Sequence, residues 1–248
     1  MRASDPRILI LGGTTEAAAL AAAFAELPVN AITSLAGRTR NPANLTGTVR
    51  SGGFGGADGL AAYLDSEGID LVIDATHPYA VRISQNAVQA ASMRGIALVR
   101  LERAAWEEKP GDHWINISHE AEAATAIPSG ERVFLALGRQ HIAPFAERAD
   151  VHFVMRMIDP PEVTVPQDCE IVLARPGDYA AEKHFLEIRR IGLIVSRNSG
   201  GSISYAKIEA ARALGLPVMM ISRPPVAAKN VVASPEDAIA LARTVLGF

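Results

Sequence analysis

The sequence predicts an α/β fold in two domains with mainly parallel sheets, the first of them Rossmann-like. Short apolar runs alternate with Ala-rich amphipathic stretches, the pattern of βαβ units. Several of these runs end directly in Gly or small polar residues, where a strand hands over to a helix. Between two such series lies LERAAWEEKPGDHW (101–114), aperiodic and carrying Pro, Gly and charge, which reads as a linker. The expected domains are therefore 1–110 and 111–248.

In the first series, Ile8 to Leu11 reads as a buried strand and 15–26 as a helix that Pro28 stops. Val29 to Leu35 and Thr48 to Arg50 follow as strands, then a helix from Gly56 to Glu67. Asp70 to Asp74 is a strand, Tyr79 to Met93 a helix, and Ile96 to Arg100 the fifth strand. In the second series, strands are expected at Arg132 to Leu137, Val151 to Arg156, Glu170 to Leu173, Leu193 to Val195 and Val218 to Ile221. Helices are expected near 178–190 and 203–214, and a last one over about 235–246, after the Ser234-Pro235 start signal.

Composition excludes several classes. Hydrophobic residues make up 49% of the 248 and charged residues 21%, ample for buried cores and unlike a disordered chain. A net charge of −3 with no long run of one sign argues against a nucleic-acid partner. The single cysteine, Cys169, leaves no internal disulfide and no Cys-rich metal site, and suits a reducing compartment. No stretch approaches the ~20 apolar residues of a membrane span. The opening apolar run is too short for a signal segment, so the expected location is the cytoplasm.

Gly12-Gly13-Thr14-Thr15-Glu16 sits at the first strand-to-helix turn. A phosphate is favoured there, because unpaired backbone N–H groups and the helix dipole both point at it. The run departs from GxGxxG at Thr14 and Ala17, and a tight turn alone also explains a glycine pair. At the end of the second strand an NAD-binding protein carries an acid for the ribose. Here Ser34, 22 residues after Gly12, takes that place, and Arg38 and Arg40 follow. A hydroxyl with guanidinium groups suits the 2′-phosphate of NADPH, which an acid repels. Thr76-His77-Pro78-Tyr79, after the DLVID strand, and Gly52-Gly53, after the third, are further candidates for the coenzyme's surroundings.

In the second half, Gly138-Arg139-Gln140-His141 and Ser196-Arg197-Asn198-Ser199-Gly200-Gly201 follow strand ends, with Lys207 soon after. Cations spaced along one rim of a sheet would hold an anionic ligand; the candidates are Arg139, Gln140, 196–201 and Lys207. Tyr179 and Lys183 form a YxxxK pair, but position 167 is Gln where short-chain dehydrogenases have a Ser, so the pair reads as an ordinary helix face. No acid–base dyad and no metal cluster stands out, and no catalytic residue is named.

The blocks ILILGGTTEA, DLVIDATHPYA, LALGRQ and SRNSGGSISYAKIEAARALGLPVMMISRP, in order along nearly the whole chain, resemble the precorrin-6A reductase family of cobalamin biosynthesis. The resemblance implies two Rossmann-like domains with coenzyme and substrate in the cleft between them. It implies NADPH-dependent reduction of one double bond of precorrin-6A, giving precorrin-6B, with neighbouring pathway enzymes as further expected partners. Members serving the cobalt-first route look similar, so a cobalt-precorrin-6A substrate stays open. A corrin-pathway methyltransferase is a third reading, disfavoured because the second strand ends without the acid that adenosylmethionine's ribose calls for.

Overall fold

A computed structural model of the chain describes residues 5–37, 45–202 and 204–248. The first elements are β1 (Arg7–Leu11), α1 (Thr15–Ala25), β2 (Asn30–Leu35), β3 (Thr48–Ser51), α2 (Gly56–Ser66), β4 (Leu71–Asp74), α3 (Val81–Arg94) and β5 (Ala97–Leu101). There follow β6 (His113–Ile117), α4 (Glu120–Ala126), β7 (Arg132–Ala136), β8 (His152–Met157), β9 (Cys169–Leu173), α5 (Tyr179–Ile188), β10 (Leu193–Arg197), α6 (Ala206–Leu214) and β11 (Pro217–Ile221). The chain closes with β12 (Asn230–Val232) and α7 (Pro235–Leu246). A 3₁₀ turn, Ala143–Phe145, lies between β7 and β8.

The chain forms two compact units. One comprises residues up to Ala104 together with Pro224–Phe248, the other Ala105–Arg223. This departs from the expected division at 110. The last strand and helix belong to the first unit, because β12 pairs with β5 and α7 buries Ala238, Ala242 and Leu246 in that unit's core. His113 and Trp114, the last residues of the expected linker, open a strand, β6, which pairs with β11.

Each unit holds one six-stranded sheet, and every recorded pairing is parallel. The first reads β3-β2-β1-β4-β5-β12 and the second β9-β8-β7-β10-β11-β6. Both follow the doubly wound order 3-2-1-4-5-6, and in each the sixth place is taken by a strand from the far end of the unit. In the first unit the sixth strand arrives only after the whole second unit has been laid down. In the second unit it comes first in sequence. Strand order reverses between β1 and β4 in one sheet and between β7 and β10 in the other. Ligands of such sheets collect at the strand C-termini beside those reversals.

β1 shows why its run is continuously apolar. Ile8 and Ile10 pack on one face with Leu20 and Phe24 of α1 and with α7. Leu9 and Leu11 pack on the other with Leu60 and Leu64 of α2 and with Ala87 and Ala90 of α3. A strand covered on both faces needs apolar side chains at every position. In the second unit Phe134, Val154, Ile194 and Val218 play that part against Phe185 and Leu186 of α5 and Ile208 of α6.

Candidate functional site

In the first unit the reversal point is built around the glycine turn. Gly12 donates to Ser34 O at 2.9 Å, tying the turn to β2. A Cβ on Gly12 would lie 3.0 Å from Thr33 Cγ2, so a larger residue would push the turn off the sheet. Gly13 has φ +113°, in the region that favours glycine, and nothing lies within 4 Å of where its Cβ would point. Thr14 caps α1: its Oγ1 accepts from Ala17 N at 3.1 Å and donates to Ala75 O at 2.7 Å, linking the loops after β1 and β4. The backbone N–H groups of Gly13, Thr14 and Thr15 meet no acceptor among the described residues. That is a cradle for an anionic oxygen at a helix N-terminus.

Glu16 sets a negative charge beside that cradle. Both its carboxylate oxygens accept from Arg103 Nη1, at 3.1 and 2.9 Å, and Thr15 Oγ1 donates to it. Burial pushes its carboxyl up, but its own backbone N–H and the Arg103 charge outweigh that and hold it below its ordinary value. Its negative charge is thereby matched within the unit.

The loop after β4 is organised by Asp74, which is fully buried. Asp74 Oδ2 accepts from Arg100 Nη1 at 2.7 Å, while Oδ1 accepts from Thr76 N at 3.1 Å and Thr76 Oγ1 at 2.7 Å. Ser84 Oγ accepts from the same Arg100 nitrogen at 2.7 Å. Thr76 therefore spends its side chain on shaping the loop. His77 Nδ1 accepts from Tyr79 N at 3.3 Å, the two rings lie 5.7 Å apart, and Pro78 is buried. The structure thus brings 12–16 and 76–79 to the C-terminal ends of adjacent strands.

Ser34, at the end of β2, is buried, and its Oγ accepts from Arg50 Nη1 at 2.7 Å. Arg50 stands opposite it in register on β3 and also donates to Gly52 O at 3.1 Å and Gly53 O at 3.4 Å. In the sequence Arg50 is legible only as the last residue of a short strand; the signal for its side chain is a cation at the tip of the strand beside Ser34. Gly52 and Gly53 lie at this spot, their carbonyls accepting from Arg50. Arg38 and Arg40 lie outside the described residues.

In the second unit the reversal point gathers Arg139 and Gln140 after β7 and Arg197 to Gly201 at the end of β10. Arg139 donates to Glu162 Oε1 at 3.1 Å and Pro160 O at 3.3 Å. Arg197 donates twice to Glu120 Oε1, at 3.1 and 2.6 Å, and His141 Nδ1 lies 3.4 Å from the same oxygen. Burial raises the Glu120 carboxyl, but hydrogen bonds from Arg197 and its own N–H win and leave it below its ordinary value. Ser199 N donates to Arg197 O at 2.7 Å, and Gly200 and Gly201 both have positive φ.

Other residues of that set face inward. Ser196 is fully buried. Asn198 clamps the Trp106 backbone, accepting from its N at 2.7 Å and donating to its O at 2.9 Å, and Trp106 Nε1 donates to Gly201 O at 2.7 Å. Lys207 is 6% exposed, donates to Ser204 O at 2.7 Å and lies 4.8 Å from the Trp106 ring centre. Burial pushes its ammonium down to about 7 against the pull of Glu182, and Arg156 adds to the push. Of the further strand-end cations, Arg156 forms a two-pronged pair with Glu182 at 2.7 and 2.8 Å, whereas Arg175 is exposed. Tyr179 and Lys183 lie on the outer surface of α5, where Lys183 is 3.8 Å from Glu187.

The profile of the family described as Precorrin-6x reductase CbiJ/CobK matches residues 7–243. The chain belongs to that family. Among its relatives, the Precorrin-6A reductase of Rhodococcus erythropolis is 50% identical over 222 residues, covering 88% of this chain and 90% of its own. The Precorrin-6A reductase of Rhodobacter capsulatus is 44% identical, covering 93% of each. The Cobalt-precorrin-6A reductase of Priestia megaterium is 26% identical over 94% of this chain and 96% of its own. A solved structure titled "CobK precorrin-6A reductase" superposes with a TM-score of 0.91 at 42% identity, covering 97% of each chain. Family membership accounts for the two parallel α/β units and for the order of the four blocks along the chain. No helix among the described residues is long and apolar enough to cross a membrane.

Proposed function

We propose that this protein reduces one double bond of precorrin-6A to give precorrin-6B, with NADPH as the hydride source. The observation that carries the reaction is the relation to proteins named Precorrin-6A reductase, at 44% and 50% identity over most of the chain. The relative named Cobalt-precorrin-6A reductase in Priestia megaterium stands at 26%, which favours the metal-free macrocycle as substrate.

The residues present fit a nicotinamide dinucleotide. The turn at 12–15 offers N–H groups, a capped helix start and, at Gly13, open space where a side chain would otherwise stand in the way of a pyrophosphate. The end of β2 carries Ser34 in place of an acid, which supports NADPH over NADH, with Arg38 proposed as a further 2′-phosphate contact. His77, Pro78, Tyr79, Gly52 and Gly53 would border the coenzyme. The coenzyme supplies a hydride, and the protein contributes position and a matched field. A precorrin bears several acetate and propionate groups. Arg139, Gln140, Arg197, Ser199 and Gly200 are proposed to meet them, while Ser196, Asn198, Gly201 and Lys207 hold the β10 loop in shape. Proximity to neighbouring pathway enzymes and a place in the cytoplasm suit this reading.

The test is coenzyme oxidation by the purified protein, followed through the absorbance of the reduced nicotinamide. Precorrin-6A with NADPH should consume one coenzyme per macrocycle, and NADH should serve poorly. Turnover confined to cobalt-precorrin-6A would overturn the choice of substrate.

A further inference from the structure

We infer that Arg50 reads the 2′-phosphate of NADPH, an inference that rests on the coenzyme reading above. Arg50, one residue from the end of β3, stands directly beside Ser34 of β2, which is where a 3-2-1-4-5-6 sheet receives the adenosine ribose. Its guanidinium is fixed before any ligand arrives. Nη1 donates to Ser34 Oγ at 2.7 Å and Gly52 O at 3.1 Å, Nη2 to Gly53 O at 3.4 Å, and Cζ lies 3.9 Å from the Phe54 ring centre and 5.0 Å from that of Tyr63. The Phe54 carbonyl lies against Gly59 of α2, where a Cβ would stand 1.8 Å from Phe54 O, so only glycine leaves room for it.

What separates Arg50 from the part-buried or buried arginines at the ends of β5, β7, β8 and β10 is its charge balance. Arg100, Arg139, Arg156 and Arg197 each pair with a carboxylate. Arg50 meets only neutral oxygens and aromatic faces among the described residues. Its Nε–H and one Nη2 N–H take no acceptor there, and Nε with Nη2 makes the side-on edge that grips a phosphate with two parallel hydrogen bonds. Ser34 explains the missing counter-ion. A carboxylate at that position would neutralise Arg50 and repel phosphate, whereas a hydroxyl orients the guanidinium and leaves its charge uncompensated.

Dissociation constants for NADPH and NADH, read from the fluorescence of the reduced coenzymes, test the assignment. Arg50→Gln keeps a neutral donor toward Ser34 and removes the charge and the fork. NADPH should bind about tenfold to a hundredfold more weakly, and NADH should change by less than about twofold, which also reports an intact fold. Arg50→Lys, with a cation but no fork, should fall between. In the wild type, 2′,5′-ADP should displace NADPH far better than 5′-ADP, and Arg50→Gln should erase that advantage. If the wild type prefers NADPH and Arg50→Gln keeps the preference, the assignment is overturned and the coenzyme reading stands. A wild type that binds both coenzymes equally would overturn the coenzyme reading and this inference with it. Should Arg50→Gln lose NADH as well, Arg50→Lys decides, since an unchanged coenzyme ratio in that variant overturns the fork.

Discussion

Gly13 and Arg197 show two ways in which one residue can carry a site. Gly13 contributes by having no side chain: its φ of +113° and open Cβ direction leave room for a ligand against the backbone. Gly13→Val would cost about 1–3 kcal/mol in backbone strain, which a folded domain absorbs. It would also fill the phosphate position, so NADPH affinity should drop at least about tenfold while the thermal unfolding transition persists. Coenzyme fluorescence and a melting curve check both halves of that expectation. Arg197 contributes a cation whose direction Glu120 sets through two hydrogen bonds. Arg197→Ala should raise the KM for precorrin-6A about tenfold or more and leave the NADPH dissociation constant near wild type. An unchanged KM would make the Arg197–Glu120 pair a purely structural brace. The glycine turn and the strand-end arginines were legible in sequence because backbone freedom and charge are properties of residue type. The inward roles of Asn198 and Lys207 were not, because they depend on Trp106, about a hundred residues away and close only after folding.

Among the elements, α6 carries the clearest pH signature. Lys207, near its first turn, loses its proton near 7 in the fold and near its ordinary 10.5 when the chain unfolds. Between those values the unfolded state binds more protons, so stability should rise with pH from about 7 to about 10.5. The slope should approach one proton, on the order of 1 kcal/mol per pH unit. Urea midpoints across that range should show the rise in wild type, and Lys207→Met should remove this contribution. The core strands were readable because burial on both faces forces an unbroken apolar run, as in β1. β6, α4 and β12 escaped for the opposite reason. β6 and β12 lie at sheet edges with mostly exposed residues, and α4 is a seven-residue Ala-rich turn without large apolar side chains.

At the scale of the whole molecule, the chain leaves its first unit after β5, builds the second, and returns to finish the first. The second unit is therefore contiguous, from Ala105 to Arg223, and the first is not. A 105–223 fragment should unfold cooperatively by itself. Deleting 224–248 from the full chain should cost the first unit several kcal/mol, because it removes β12 from the sheet edge and the buried Ala238, Ala242 and Leu246 from the core. Two separate thermal transitions, with only the first-unit transition lowered, are the expected calorimetric result. Equal destabilisation of both units would contradict the division.

The sequence by itself determined the α/β class, most of the strands and helices, the glycine turn and the family. These follow from residue type and local period, which the chain displays before it folds. The tertiary structure alone decided which unit owns the last strand and helix. It decided that Glu16 is matched by Arg103, that Asp74 and Arg100 shape the loop after β4, and that Ser34 serves Arg50. Each of these depends on which strands lie side by side in a parallel sheet. Parallel neighbours are joined through crossovers, so their partners are distant in sequence and carry no local pattern to announce them.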